Sequence, residues 1–323
     1  MRVLLVSFGS IARRHLANLR RLEPDADVLI VRRTIDPGLH ERQVSSFDEA
    51  LAWRPEAALI CSPATEHLRF ATSLIEQHVP LFVEKPLAAG LDGGAALVAR
   101  ASALGVPFMV GYCLRFSMPL RTARESLQAG DIGRLLHLRA EVGQYLPDWR
   151  PASDYRSGVT AQSALGGGAL LELSHEIDYA RWFGGEVATV SGQLSRIGGL
   201  DIDVEDTADL SLRFREGATG IIHLDLLARP AYRHCRVIAT DGTIEVDLIE
   251  GRVRAFRADV GVWRDLLDPP VDRDAMYRDE LKEFLGCVRR GTSLSITGED
   301  GLRVLEIVEA ARRSDREARV IEL

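Results

Sequence analysis

Among the 40 lysine and arginine residues of this 323-residue chain only two are lysines, Lys85 and Lys282. Lys85 stands in Leu81-Phe82-Val83-Glu84-Lys85-Pro86, where a short apolar run ends in a charged pair. Arginine stays protonated at any working pH, whereas a lysine amine is tuned by burial and can give up or take a proton. In a chain that otherwise uses arginine for its positive charge, Lys85 reads as a proton-transfer group. The alternative is a solvated lysine in a turn before proline. The apolar run favours the chemical reading, because ligand sites of open α/β sheets gather at the carboxyl ends of strands.

A second group follows three glycines: Gly166-Gly167-Gly168-Ala169-Leu170-Leu171-Glu172-Leu173-Ser174-His175-Glu176-Ile177-Asp178-Tyr179. On a helix expected over 169–183, Glu172, His175, Tyr179 and Trp182 share one face, and Leu170, Leu173, Ile177 and Ala180 form a separate apolar one. A carboxylate one turn from a histidine orients the imidazole and raises its basicity. Glu172 and Asp178 are the two candidates for that carboxylate. An ordinary ion-pair face would look similar, but glycine run, acid, histidine and Lys85 together favour function.

A third group is the turn Ser7-Phe8-Gly9-Ser10-Ile11-Ala12, between an expected strand and an expected helix, where a dinucleotide fingerprint belongs. Gly9 keeps the central position, where the backbone approaches a pyrophosphate, and the helix N-terminus offers free N–H groups. Arg32 and Arg33 end the second strand. An acid there would hold a ribose hydroxyl, while arginine can receive a 2′-phosphate, so the pair favours NADP over NAD. Cys61, Ser62 and Pro63 end the third strand at the same edge. His67 either faces the site or completes the cap region that Thr65 begins.

The elements that must position these groups alternate strand and helix through residue 118. Strands are expected at 3–6, 28–31, 57–61, 81–83 and 108–112, with helices between them. Repeated βαβ units imply a doubly wound parallel sheet. After a helix over 119–129 and a strand over 135–145, residues 187–256 are extended segments joined by tight turns, which suit antiparallel hairpins. Two helices near 276–290 and 300–314 follow. The expectation is an α/β chain with a Rossmann domain at 1–118 and an α+β domain at 119–323 built on a large, mostly antiparallel open sheet. Few helices remain to cover that sheet, so a second copy is expected to cover one face, as a homodimer or homotetramer.

A net charge of −7 gives no footprint for nucleic acid or an anionic membrane. No apolar stretch approaches the roughly 20 residues of a membrane span, and the opening residues 1–6 read as leading into a first strand of the fold, not as a signal peptide. The four cysteines form no C-x-x-C pair and suggest no metal site, so a reducing cytoplasm is the expected location.

With these motifs in this order, the chain resembles the glucose–fructose oxidoreductase / inositol dehydrogenase / MocA family of NAD(P)-dependent oxidoreductases. The resemblance rests on residues 7–15, on Glu84-Lys85-Pro86, on Val110-Gly111-Tyr112-Cys113-Leu114-Arg115-Phe116 and on the 166–182 block. Ser7 and Ala12 replace two fingerprint glycines, Cys113 replaces a common asparagine, and the acid before His175 lies three residues away where the family usually has four. The resemblance implies a catalytic Lys85 with a cis peptide bond to Pro86, and His175 as its partner beside the substrate, with Glu172 or Asp178 as the carboxylate behind it. Phe8, Gly9, Ser10, Ile11, Arg32, Arg33, Cys61, Ser62, Pro63, His67, Glu84 and Lys85 would meet the cofactor. Tyr112, Arg115, Trp149, Tyr155, Arg156 and Asp178 would meet the substrate. The implied reaction moves a hydride between nicotinamide and a secondary alcohol or ketone of a sugar, cyclitol or sugar derivative. The alternatives are cofactor-assisted glycosidic elimination or hydrolysis without net redox change, and a non-catalytic dinucleotide-binding regulator.

Overall fold

The computed structural model describes residues 1–267 and 269–323. These divide into two compact units, Met1–Cys113 with Tyr277–Leu305, and Leu114–Met276 with Glu306–Leu323.

In the first unit, β1 (Arg2–Val6), β2 (Asp27–Val31), β3 (Arg42–Val44), β4 (Ala57–Ile60), β5 (Leu81–Glu84) and β6 (Phe108–Gly111) form one sheet in the order β3-β2-β1-β4-β5-β6. Every pairing is parallel. Helices α1 (Ser10–Leu22), α2 (Phe47–Ala52), α3 (His67–Glu76) and α4 (Gly94–Ala103) connect the strands. β4 and β6 are buried at every position, which is why they read as unbroken apolar runs and not as alternating ones. The order reverses between β1 and β4, and a doubly wound sheet binds its ligand outside the carboxyl ends of the strands at such a reversal. The turn carrying Gly9 follows β1, Ser62 follows β4, and Lys85 follows β5.

Two differences from the sequence reading concern this unit. The edge strand β3 (Arg-Gln-Val) is too short and polar to give a periodic signal. The boundary at 118 also leaves out a later segment of the chain. Helix α8 (Ala275–Arg290), from Tyr277 on, and the start of α9 (Gly298–Glu317) belong to this unit. Phe284 is fully buried, edge-on to Phe82 at 5.8 Å between ring centroids. Gly298 lies against Phe108, where an added Cβ would come within 2.7 Å of the ring.

The second unit holds α5 (Met118–Gln128), α6 (Ala169–Glu172), α7 (His175–Gly184) and a nine-stranded sheet. Its strands are β7 (Leu135–Gly143), β8 (Val187–Ser195), β9 (Thr207–Phe214), β10 (Thr219–Asp225), β11 (Tyr232–Ala239), β12 (Gly242–Asp247), β13 (Arg252–Arg257), β14 (Trp263–Leu267) and β15 (Ile321–Glu322). The order is β14-β13-β12-β11-β7-β10-β9-β8-β15, antiparallel except between β7 and β10. Inward-facing Leu138, Ala140, Val142, Leu210, Leu212, Ile222, Leu224 and Val237 are buried. α7 packs against β7 and β10, and α5 against β12 and β13.

The outward face is charged. Arg139, Arg236, Glu245 and Arg254 are successive register partners across four strands, with Arg236 paired to Glu245 and Glu245 to Arg254 at 2.5 Å. A neighbouring row runs Asp209, His223, Glu141, His234, Asp247. His223 sits between Asp225 (3.2 Å) and Asp209 (2.6 Å), and these two carboxylates raise its pKa to about 9. A raised pKa contributes stability that is fully present below the unfolded value of 6.5 and lost as pH rises through about 9. Wild type is therefore expected to lose stability over that window relative to His223→Gln, by on the order of 1 kcal/mol for so exposed a cluster. Chemical denaturation at the two ends of the window checks this. Parallel curves for the two proteins would show that His223 gains nothing from its neighbours.

Candidate active site

The strand-to-helix turn after β1 has the geometry a dinucleotide requires. Ser7 adopts φ 72°, the left-handed conformation a glycine would take without strain. Gly9 caps α1 with no side-chain cap bond, and an added Cβ there would meet nothing within 4 Å. The first N–H groups of α1 are thus not covered by a side-chain cap, and the backbone is open to a phosphate. Ala12 is fully buried, the close packing that the position demands. Phe8 is buried with the Arg13 guanidinium 4.7 Å and the Arg32 guanidinium 5.9 Å from its ring centroid. Arg32 is also 3.6 Å from Asp36, while the Arg33 side chain is 90% exposed and held by Glu66 at 2.9 Å.

At the ends of β4 and β5 the side chains are drawn inward. The Ser62 hydroxyl is buried without a hydrogen-bond partner, an orphaned group suited to a ligand. Burial, then the Glu84 charge, pushes the Cys61 thiol pKa up and keeps it an inert thiol. His67 is 1% exposed, and its ring lies against the backbone carbonyls of Ser62 and Pro86. Glu84 accepts from the Lys85 backbone N–H at 3.2 Å and meets His15 Nε2 at 2.5 Å. Lys85 is half-buried, and its bond to Pro86 is cis.

Two residues that the motifs did not single out join this end of the sheet. His15, on α1, is fully buried against Glu84. Tyr277, on α8, has the Arg14 guanidinium 4.4 Å above its ring; burial, then nearby Cys113, pushes its phenol pKa up. His15 lay within the fingerprint itself. Tyr277 carries no local signal, being separated from the motif by the whole second unit. Tyr112, expected to meet substrate, has no exposed surface, since β6 continues its buried pattern one residue further.

The second unit holds the remaining candidates. The helix expected over 169–183 is broken: α6 stops at Glu172, Leu173 leaves helical geometry (φ −100°, ψ 24°), and Ser174 caps α7 at His175. Glu172 and His175 therefore do not share one continuous helical face. Glu172 accepts from the Thr160 hydroxyl at 3.3 Å. The glycine run serves close packing. A Cβ at Gly167 would fall 2.4 Å from the Val159 carbonyl, and one at Gly168 (φ 103°) would fall 2.3 Å from the Glu205 carboxylate. Burial raises the pKa of Glu205, which accepts from the Leu170 N–H at the start of α6.

Asp178 and Arg115 are brought together as a buried bidentate pair, at 2.9 and 2.6 Å, with side chains 1% and 6% exposed. They hold each other in the interior of this unit. Glu176, fully buried, binds Arg233 in the same two-pronged way. The loop before the glycines is tied locally. Trp149 donates to the Gln144 carbonyl, the Tyr155 hydroxyl accepts from the Asp201 N–H, and exposed Arg156 pairs with Asp154. His175, at the first turn of α7, is half-buried. Among the described residues, no group of three His, Cys, Asp or Glu side chains is arranged for a metal ion, and no helix is long and apolar enough to cross a membrane.

A parallel sheet in this order, with an open glycine turn at its reversal, is a dinucleotide-binding architecture. Residues 1–112 match the model of the oxidoreductase family with an NAD-binding Rossmann fold, and residues 120–245 match that of the GFO/IDH/MocA C-terminal domain. The chain belongs to the GFO/IDH/MocA family and is an oxidoreductase that uses a nicotinamide dinucleotide. It is 27% identical to myo-inositol 2-dehydrogenase of Thermotoga maritima, over 100% of this chain and 98% of the relative. It is 26% identical to scyllo-inositol 2-dehydrogenase (NAD(+)) of Bacillus subtilis, over 83% and 78%. A levoglucosan dehydrogenase solved with NADH and levoglucosan shares the fold, with a TM-score of 0.87 at 21% identity, over 100% of this chain and 99% of the other.

Proposed function

We propose that the protein interconverts a secondary alcohol and a ketone on a sugar, cyclitol or sugar derivative, with Lys85 as a proton-transfer group and His175 as its second. The observation that carries this reading is the place of Lys85. It is one of two lysines, half-buried at the carboxyl end of β5, in the sheet whose reversal carries the Gly9 turn. The named activities of the inositol dehydrogenase relatives support the substrate class.

The nicotinamide supplies the hydride acceptor or donor when bound. The chain does the rest. The Gly9 turn and the α1 N-terminus hold the phosphates. Lys85 or His175 accepts the hydroxyl proton, and the group that stays cationic steadies the oxyanion, an electrostatic effect strengthened where water is excluded. Glu84, bound to both the Lys85 N–H and His15, fixes the backbone from which Lys85 projects. Thermal shifts with NAD, NADH, NADP and NADPH test dinucleotide binding; a ligand at 100 times its Kd stabilises by about 2.7 kcal/mol. No shift with any of the four would refute the reading.

The same arginines support NADP over NAD. Arg32, beside Phe8, is less exposed than Arg33. Replacing both by alanine is expected to weaken NADPH roughly 10- to 100-fold, the worth of one or two charge-assisted hydrogen bonds, and NADH far less. Equal weakening, measured by calorimetric titration, would remove these residues from cofactor choice.

The assembly reading also takes a specific form. A second copy covering the outer sheet face would meet rows of arginine and carboxylate, so the dimer or tetramer is expected to weaken as salt rises. Light scattering at about 0.05 M and about 1 M salt checks this. A monomer at both, or an assembly indifferent to salt, would contradict it.

A further inference from the structure

His15 is a fully buried titratable side chain that takes no part in the proton transfer itself. Its Nε2 lies 2.5 Å from one Glu84 carboxylate oxygen, and its Nδ1 has no hydrogen-bond partner among the described residues. An ionised carboxylate offers lone pairs only, so this contact requires an N–H on Nε2, which the neutral ring supplies in its Nε2–H tautomer. The other Glu84 oxygen, Oε2, accepts from the Lys85 backbone N–H at 3.2 Å. The neighbouring strand β6 leaves room for the carboxylate, since the register partner of Glu84 is Gly111. A Cβ on Gly111 would come within 3.3 Å of Oε2 and 3.1 Å of the Phe82 ring. Phe82 in turn packs edge-to-face with the His15 imidazole, 5.0 Å between ring centroids.

We propose that His15 is a positioning residue for Lys85, acting through the Glu84 carboxylate. Its Nε2–H fixes one carboxylate oxygen and with it the plane of the group. The other oxygen then holds the Lys85 N–H at the strand end from which the amine projects. The inference rests on the reading of Lys85 as a proton-transfer group, since only then does this placement bear on turnover. A displacement of about 1 Å in such a group can cost on the order of 100-fold in rate.

Two variants separate a held carboxylate from a filled space. In His15→Gln the amide nitrogen reaches the position of Nε2 and keeps a donor on Glu84. In His15→Met the side chain has similar volume and no donor. Neither readout needs a substrate. The first is hydrogen exchange at the Lys85 amide, read by NMR against the amides of Leu81, Phe82 and Val83 in the same strand. A general loosening speeds all of them, whereas a lost hold on Glu84 speeds Lys85 alone. The second is the acylation rate of Lys85 relative to Lys282 under limiting acetic anhydride, followed by peptide mass spectrometry. With two lysines in the chain, exposed Lys282 serves as the internal standard.

His15→Met is expected to speed exchange at the Lys85 amide, relative to the other β5 amides, roughly three- to tenfold, the worth of one buried hydrogen bond, and to move the labelling ratio by a similar factor. His15→Gln is expected to stay within about twofold of wild type in both. The proposal is overturned if the two variants behave alike, if the other β5 amides quicken with Lys85, or if His15→Met leaves either readout at its wild-type value. One measurement needs no variant to fold. The imidazole nitrogen shifts of His15 in the wild-type protein are expected to show a proton on Nε2, and a proton on Nδ1 alone would also overturn the proposal. Should Lys85→Arg turn over like wild type, the reading of Lys85 falls while the exchange and labelling results still decide whether His15 places it.

Discussion

Lys85→Arg is expected to reduce turnover by roughly 10²–10⁴-fold, the range for loss of a general acid–base group, while NADH still binds. The two side chains carry the same charge and similar length, so a phosphate clamp or a surface ion pair would tolerate the exchange. A guanidinium cannot give up its proton at working pH, so a proton-transfer role would not. Cofactor titration beside steady-state kinetics separates these cases. A variant that binds NADH and turns over at the wild-type rate would move proton transfer to another group. A double replacement of Lys85 and His175 adds a test of partnership, because losses from groups acting on one proton are far from additive.

Arg115→Ala is expected to destabilise the protein by about 3–5 kcal/mol, because it leaves the Asp178 carboxylate buried without its guanidinium. Replacing both residues by leucine should recover much of that loss, since an apolar pair of similar volume removes the buried charge as well. Urea denaturation measures both variants. The opposite outcome, a raised KM with unchanged stability, would return Arg115 and Asp178 to the substrate.

The parallel sheet was legible in the sequence because its strands are buried on both faces, and a four-residue apolar run bounded by turns has few other uses. The strands of the second sheet announced themselves by alternation, as in Thr207–Phe214, whose buried and exposed positions alternate over most of its length. The break between Glu172 and His175 was not legible. Leu173-Ser174 contains neither proline nor glycine, and the packing of Gly167 and Gly168 against Val159, Thr160 and Glu205 acts over a distance in sequence. The pairing of Arg115 with Asp178, 63 positions apart, is likewise a product of tertiary structure. Charge on the outer sheet face was present in most of the strands, but it becomes two ordered rows only once register is known. The chemistry-bearing motifs at Gly9 and Lys85 were readable for another reason. Each is compact, and each sits at a strand end whose position in the sheet follows from the βαβ order.

The most direct measurement is a product balance. Wild-type protein is incubated with oxidised NAD or NADP and a panel of cyclitols, aldoses and sugar derivatives, and reduced nicotinamide and sugar product are both quantified. The account predicts that at least one compound yields a ketone and reduced cofactor in equal amounts, and that Lys85→Arg yields neither. A compound consumed by wild type with no reduced cofactor accumulating, its glycosidic bond eliminated or hydrolysed instead, would contradict net hydride transfer as the function of this protein.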